Sequence, residues 1–249
     1  MRLPPVFSPS GMEPRLNALH GIRAVIFDVY GTLLLGGGPV HPDPEVDEEL
    51  AVFLHEHGIH SEGSITTALA HAVQRSHAAS TSPFPEVDLH SLWSDILHRE
   101  IGQELFISLE DIRQPVALMP GATDLLQALP PRPLGLISNA QANTLPLLER
   151  LTSLTQPFAE ELCVLSYRHG QAKPSALLFE CLTGALGGRG ILPSEAVIVG
   201  NDPRHDIAPA KLHGFRTILV MADRDSLRPG DTTAADAVVT DLMQIAELI

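Results

Sequence analysis

Basic residues are scarce in this sequence. Its 249 residues carry 16 lysines and arginines against 30 aspartates and glutamates, a formal net charge of −14. Such a chain lacks the basic face that a nucleic acid or an anionic membrane surface requires, so neither is expected as a partner. Lysine occurs only as Lys173 and Lys211. Cysteine occurs only as Cys163 and Cys181, both in apolar segments, which predicts buried thiols in a reducing cytoplasm rather than a disulfide or a catalytic pair. No apolar run approaches the ~18–20 residues of a membrane span. The N-terminal stretch, with Pro4, Pro5, Ser8, Pro9, Ser10 and Gly11, lacks the continuous apolar core of a signal peptide and is expected to be a loosely held leader. The expected protein is cytoplasmic, a monomer or a homodimer.

What is present is a core. Apolar residues make up 44% of the chain. The organising stretch is Arg23-Ala24-Val25-Ile26-Phe27-Asp28-Val29-Tyr30-Gly31-Thr32-Leu33. A continuous β-favouring apolar run predicts a strand buried on both faces of a parallel sheet. Further strands are predicted at Leu134–Asn139, Leu162–Ser166, Ala196–Gly200, Phe215–Val220 and Ala237–Val239. Helices are predicted at Ala122–Leu129 and Leu145–Leu151, from Pro174 to about Leu186, from Asp206 to His213 with Gly214 as the stop, and from Asp241 onward. This alternation predicts an α/β fold with a doubly wound parallel sheet.

Between the first two of these strands the texture changes. Leu50, Phe53 and Leu54, then Leu69, Ala72 and Val73, then Leu89, Leu92, Trp93, Ile96 and Leu97 recur at helical spacing, without runs of the buried-strand kind. This predicts an inserted module of three or four helices, broken at Pro83 and Pro85, with Trp93 in its core. The expected organisation is a leader over 1–20, a core domain over 21–38 and 117–249, and a helical domain over 39–116. Gly36-Gly37-Gly38-Pro39 and the segment 116–121 would be hinges about which the helical part moves as a lid. His55-Glu56-His57-Gly58 reads as a solvated helix end.

Four strand ends carry polar groups in the same sense. They are Asp28, Ser138-Asn139, Lys173 in the loop beyond the third strand, and Asn201-Asp202, with Asp206 one turn further on. In a parallel sheet these tips share one edge, where ligands bind. Acids, a hydroxyl and a lysine meeting there suit phosphoryl transfer with a divalent metal. Carboxylates hold a hard cation through oxygen, and the cation and the ammonium offset phosphate charge. A carboxylate on a rigid strand tip is a candidate nucleophile or metal ligand.

Order and spacing over about Arg23 to Val220 resemble the haloacid dehalogenase (HAD) superfamily. Asp28-Val29-Tyr30-Gly31-Thr32-Leu33 resembles its first motif, Ile137-Ser138-Asn139 the second, Lys173-Pro174 the third, and Gly200-Asn201-Asp202-Pro203-Arg204-His205-Asp206 the fourth. The inserted helices resemble its helical, C1-type cap on a Rossmann-like core. The resemblance implies a hydrolase in which Asp28 is the nucleophile and forms an aspartyl intermediate. Ser138 and Asn139 would hydrogen-bond the transferring group, and Lys173 would steady the negative charge. It implies Mg2+ held by Asp28, the backbone carbonyl of Tyr30, and Asn201, Asp202 and Asp206. The implied activity is a Mg2+-dependent phosphatase acting on a small phosphorylated metabolite.

Two positions depart from that pattern. Tyr30 stands where phosphatases of the superfamily carry a second aspartate that protonates the leaving group. A phenol with a pKa near ~10 is a poor general acid at neutral pH, so alkyl phosphates are expected to react slowly. Asn201 stands in place of the first acid of the fourth motif and offers a neutral carbonyl. Tyr30 also resembles the metal-independent 2-haloacid dehalogenases, a first alternative. Those need a cationic cradle soon after the first motif, whereas Val29 to Gln74 contains neither Arg nor Lys, leaving Arg75 and Arg99 as the first candidates. A second alternative is a non-catalytic HAD-fold binding protein with a decayed site. His205, inside the fourth motif, could reach the site.

Overall fold

A computed structural model describes residues 2–61 and 63–249; Met1, the first residue of the expected leader, and Glu62 lie outside the described residues. The strands are β1 (Ala24–Phe27), β2 (Leu34–Leu35), β3 (Ala117–Leu118), β4 (Leu134–Ser138), β5 (Cys163–Leu165), β6 (Ala196–Gly200), β7 (Arg216–Val220) and β8 (Ala237–Val239). All but β2 and β3 join one parallel sheet in the order β5-β4-β1-β6-β7-β8. Every residue of β1, β4 and β6 is buried, which is why these runs need no polar alternation. Within β1, Val25 and Phe27 enter one apolar cluster, with Leu125 of helix α5 (Ala122–Ala128) and Ile245 of α9 (Met243–Leu248). Ala24 and Ile26 enter the other, with Leu178, Phe179 and Leu182 of α7 (Ala176–Gly188). Helices thus cover both faces, as a doubly wound sheet requires.

Between β2 and β3 the chain forms α1 (Pro44–Glu56), α2 (Ile65–Ala79), α3 (Leu89–Ile96) and α4 (Gln103–Arg113). The Asp43 carboxylate starts α1 by accepting from the N–H groups of Glu45 and Val46, with Pro44 in the first turn. Val46, Leu50 and Leu54 then recur every fourth residue on its buried face. These helices share an apolar cluster of their own, including Leu50, Leu69, Trp93, Phe106 and Leu109. Trp93 is fully buried, and its Nε1 donates to Glu110 Oε1 at 2.8 Å.

Four local expectations change. The two expected hinges, 36–39 and 116–121, are not loose chain throughout: Leu34 and Leu35, just before the glycines, are buried and pair antiparallel with Leu118 and Ala117, because two leucines gain more from burial than from solvent. The leader is tied down. Arg15 exchanges both backbone hydrogen bonds with Val238 at 2.8 and 3.0 Å, Ser10 N–H reaches Ala222 O at 2.9 Å, and Leu19 is buried. The open edge of β8 offers unpaired backbone groups, and the arm takes them. The helix expected from Pro174 begins at Ala176, Pro174 lying in the turn before it. The helix expected from Asp206 starts instead as a widened turn, Pro203–Ile207, and continues as α8 (Ala208–Leu212).

Candidate active site

Asp28 is the first residue past β1. Its N–H bonds Val199 O of β6 at 2.8 Å, so the sheet itself fixes the backbone that carries the carboxylate. The side chain is buried and crowded with donors. Lys173 Nζ lies 2.6 Å from Oδ1 and Ser138 Oγ donates to the same oxygen at 3.0 Å, while Thr32 Oγ1 donates to Oδ2 at 3.3 Å. Lys173 uses all three of its donors, the others going to Asp206 Oδ1 at 2.6 Å and Ile137 O at 3.0 Å. Burial alone would favour a neutral amine, but the carboxylates of Asp206 and Asp28 outweigh it and hold Lys173 above the usual lysine range, firmly charged. Burial pushes Asp206 up to about 6; the Lys173 ammonium opposes that rise and the Asp28 charge adds to it.

The remaining expected residues surround this centre in distinct ways. Asn139 faces Lys173 rather than open space. Its Oδ1 accepts the Lys173 N–H at 2.6 Å and its Nδ2 donates to Lys173 O at 3.4 Å, so it positions the lysine's backbone. Asn201 donates through Nδ2 to Ser226 O at 2.6 Å and lies over Gly31. A Cβ at Gly31 would sit 2.2 Å from that nitrogen, and its φ of +88° also demands glycine. Asp202 caps the turn after β6: Oδ1 takes the N–H groups of Arg204 and His205, and Oδ2 lies 2.7 Å from His205 Nδ1. Burial opposes its ionisation, but these hydrogen bonds prevail and hold the carboxyl below the usual range. Asp206 has both oxygens engaged, Oδ1 by Lys173 and Oδ2 by the Asp202 N–H at 2.9 Å. Burial pushes the Tyr30 phenol up to about 12, and its hydroxyl sits 3.1 Å from Thr144 Oγ1.

A cavity of about 790 Å³ opens from Asp28 and Lys173 toward the inserted helices, lined there by Ala70, Val73, His77 and Arg113. It brings together Asp28, Tyr30, Asn139, Lys173, Asn201, Asp202 and Asp206, with His205 beside them. The expected cationic candidates Arg75 and Arg99 are not on its lining, whereas Arg113 is. Sequence reasoning missed Arg113, and also Gln141. The Gln141 side chain accepts from Leu89 N–H at 2.9 Å and donates to Val87 O at 2.9 Å, joining the loop after β4 to the loop before α3. The signal for Gln141 was its place two residues after Asn139; for Arg113 it was only a Glu-x-x-Arg spacing on a helix, which gives no direction.

The donors at this edge are oxygens, which suit a hard cation such as Mg2+ in kind. Among the described residues, however, no group of three or more His, Cys, Asp or Glu side chains is placed to hold one ion. Asp28, Asp202 and Asp206 each have their oxygens engaged within the protein as above, so the set fits such a cation in kind without forming a nest of acids around it.

Comparison with known proteins bears on this geometry. Residues 22–214 match the family described as haloacid dehalogenase-like hydrolase. A ribulose-1,5-bisphosphate 5-phosphatase from Halopiger xanaduensis is 29% identical over 126 residues, 51% of this chain and 50% of that protein. A phosphoserine phosphatase from Thermus thermophilus is 39% identical over 85 residues, 34% of this chain and 32% of that protein. The matched stretches thus span half or less of these relatives. A solved 2-haloacid dehalogenase from Pseudomonas syringae superposes with a TM-score of 0.63 at 23% identity, covering 91% of this chain and 97% of its own, which establishes the shared fold.

Proposed function

The chain belongs to the haloacid dehalogenase-like hydrolases, and from that premise we propose that it is a phosphatase of small phosphorylated metabolites with Asp28 as nucleophile. The observation that carries this reading is the division of labour at the Asp28 carboxylate. Lys173 and Ser138 both engage Oδ1, while Oδ2 meets the Thr32 hydroxyl at a long 3.3 Å. Oδ2 is the oxygen that attacks phosphorus. As the Asp28–phosphorus bond forms, the bond from phosphorus to the leaving oxygen breaks and the leaving group departs as a carboxylate or phenolate, which needs no proton from the protein. Water then attacks the acyl phosphate, restoring the carboxylate and releasing inorganic phosphate. The Lys173 ammonium and the Ser138 hydroxyl offset the charge on the phosphoryl oxygens. Asp206 and Asn139 position Lys173 for this. Mg2+ would be held by Asp28, the Tyr30 backbone carbonyl and the Asn201 side chain, and would supply further neutralisation of the phosphoryl charge.

The phosphatase names of both sequence relatives support the chemistry. Tyr30, pushed up to about 12, is a poor proton donor to an alkoxide. Acyl and aryl phosphates, whose leaving groups need no proton, are therefore the faster substrates. The helical segment acts as the cap that closes over them, and the free thiols of Cys163 and Cys181 in the core and the acidic balance of the whole chain fit a cytoplasmic enzyme. The test is phosphate release from acetyl phosphate and p-nitrophenyl phosphate, with Mg2+ and with EDTA. Turnover in Mg2+ that vanishes in Asp28→Asn is the expected result; turnover indifferent to Asp28 would refute the reading.

Tyr30 also favours a second reading, 2-haloacid dehalogenation. The Glu110 carboxylate already neutralises Arg113, the cation on the helical wall, so the cradle for a haloacid's carboxylate is weak. Chloride release from 2-chloropropionate in EDTA would establish this reading in place of the first.

A further inference from the structure

The helical end of the cavity holds polar groups that chemistry at Asp28 does not use. Asn143 is 7% exposed, lines the cavity, and carries Oδ1 without a hydrogen-bond partner. It stands at the start of α6 (Thr144–Thr152), yet its side chain makes no capping bond. His77 Nε2, near the end of α2, is also buried without a partner and also lines the cavity. A buried polar atom left unsatisfied keeps the cost of its desolvation without the return of a hydrogen bond. Two of them lining one cavity mark where an occupant's polar atoms belong. Thr144, next to Asn143, holds the Tyr30 hydroxyl, so this wall begins one residue from the side chain that replaces the usual general acid.

The charge on the same wall is already balanced. Arg113 grips Glu110 through Nε at 2.9 Å and Nη2 at 2.6 Å, and both side chains are nearly buried. Trp93 Nε1 also donates to Glu110, and Arg113 Nη2 reaches Gln114 Oε1 at 3.1 Å. A carboxylate or second phosphate brought here would meet a guanidinium that a carboxylate has already neutralised, and would lose its hydration beside Glu110. A neutral hydroxyl incurs no such penalty, and it can donate to Asn143 Oδ1. Arg228 also lines the cavity, but on the core side. It follows Ser226, the partner of Asn201, and its Nη1 donates to the carbonyls of Asp225 and Leu227. It thus belongs with Lys173 at the phosphate end.

We infer that the cavity selects monophosphates whose far end is neutral and hydroxylated, with Asn143 as the specificity-determining acceptor and the Glu110–Arg113 pair excluding a second anion. The phosphate end of this inference rests on the phosphatase reading; the far end rests on Asn143, Glu110 and Arg113. Glycerol 3-phosphate and 3-phosphoglycerate test it, since they differ only at the carbon farthest from the phosphate, a hydroxymethyl in one and a carboxylate in the other. Their affinities are measured by calorimetry on the whole protein in EDTA, so no turnover is needed. Glycerol 3-phosphate binds tighter by about tenfold, the effect of one well-placed hydrogen bond plus the avoided desolvation. Asn143→Leu shrinks that advantage severalfold. Glu110→Gln frees the guanidinium and tightens 3-phosphoglycerate by about tenfold. Melting curves confirm that both variants are folded. Equal or tighter binding of 3-phosphoglycerate to the wild type would overturn the inference. So would an affinity ratio that neither variant moves, or no binding of either compound at millimolar concentration. Failure of the phosphatase reading looks different: the binding preference stands while p-nitrophenyl phosphate is not hydrolysed.

Discussion

Lys173 balances two buried carboxylates, Asp28 and Asp206, each 2.6 Å away. Removing it leaves both without a counter-ion in a dry site. Lys173→Met should therefore destabilise the fold by about 3–5 kcal/mol, the usual cost of breaking a buried pair, and should abolish turnover. Urea denaturation checks the first outcome; an unchanged midpoint would contradict the pairing. Asp206 gives a pH signature. Its carboxyl is pushed from 3.8 up to about 6 on folding, so the folded protein binds that proton more tightly than the unfolded chain. Its contribution to stability is full below about 3.8 and is lost as pH rises through about 6. Asp206→Asn should flatten that decline, read as unfolding free energy against pH from 4.5 to 7. Of these residues, Asp28 was legible in the sequence because a charge at the end of an apolar run is conspicuous, Lys173 because lysine is so scarce, and Asp206 by its place in the fourth motif. Their mutual bonds were not, since Lys173 lies 145 positions from Asp28.

Between elements, the loop before α3 latches onto the core. Ala172 N–H bonds Phe84 O at 2.8 Å, Glu86 N–H bonds Gly170 O at 3.1 Å, and Ser166 Oγ donates to Glu86 Oε2 at 2.7 Å. Gln141 completes the latch, and residue 172 adjoins Lys173. Gln141→Ala should loosen closure and change kcat and KM together, as steady-state kinetics on p-nitrophenyl phosphate will show; a change in neither would deny the latch a role. The glycines expected to be a hinge impose a further constraint. Gly36 and Gly37 sit at φ +89° and +93°, and a Cβ on Gly37 would lie 2.8 Å from the Tyr30 ring. Proline cannot adopt such angles, so substitutions meant to stiffen the linker would break it there. Gly38 is the position of the three without that restriction. The N-terminal arm crosses the same region, with Pro5 against Gly36 and Arg2 Nη1 2.8 Å from Asp43 Oδ2. Helix periodicity revealed the inserted helices. The latch escaped it because hydrogen bonds between loops follow no period.

At the scale of the molecule, two large apolar clusters line the faces of the sheet, a third belongs largely to the inserted helices, and a small fourth packs Leu219 and Val238 against Ile207 at the β8 end. Trp93, the single tryptophan, sits in that third cluster, so its fluorescence reports the helical part. Two backbone connections, a polar latch and the ion pairs Arg150–Asp111 and Arg2–Asp43 join it to the rest, which is weaker coupling than a shared core. We expect the Trp93 transition in urea to precede the loss of far-ultraviolet circular dichroism; coincident curves would mean one cooperative unit. The net charge of −14 belongs to the chain as a whole and carries no information about the cavity.

By itself the sequence determined the parallel sheet, its helical layers and the edge at which its polar tips meet. Apolar runs and helical periods are short-range properties, and a parallel sheet leaves one edge for the ends of its strands. Only the tertiary structure decided which oxygen of Asp28 takes both Lys173 and Ser138, that Asn139 holds the lysine's backbone, and that Glu110 silences Arg113. Those outcomes depend on how distant segments pack within a few tenths of an ångström, and no local pattern encodes such distances.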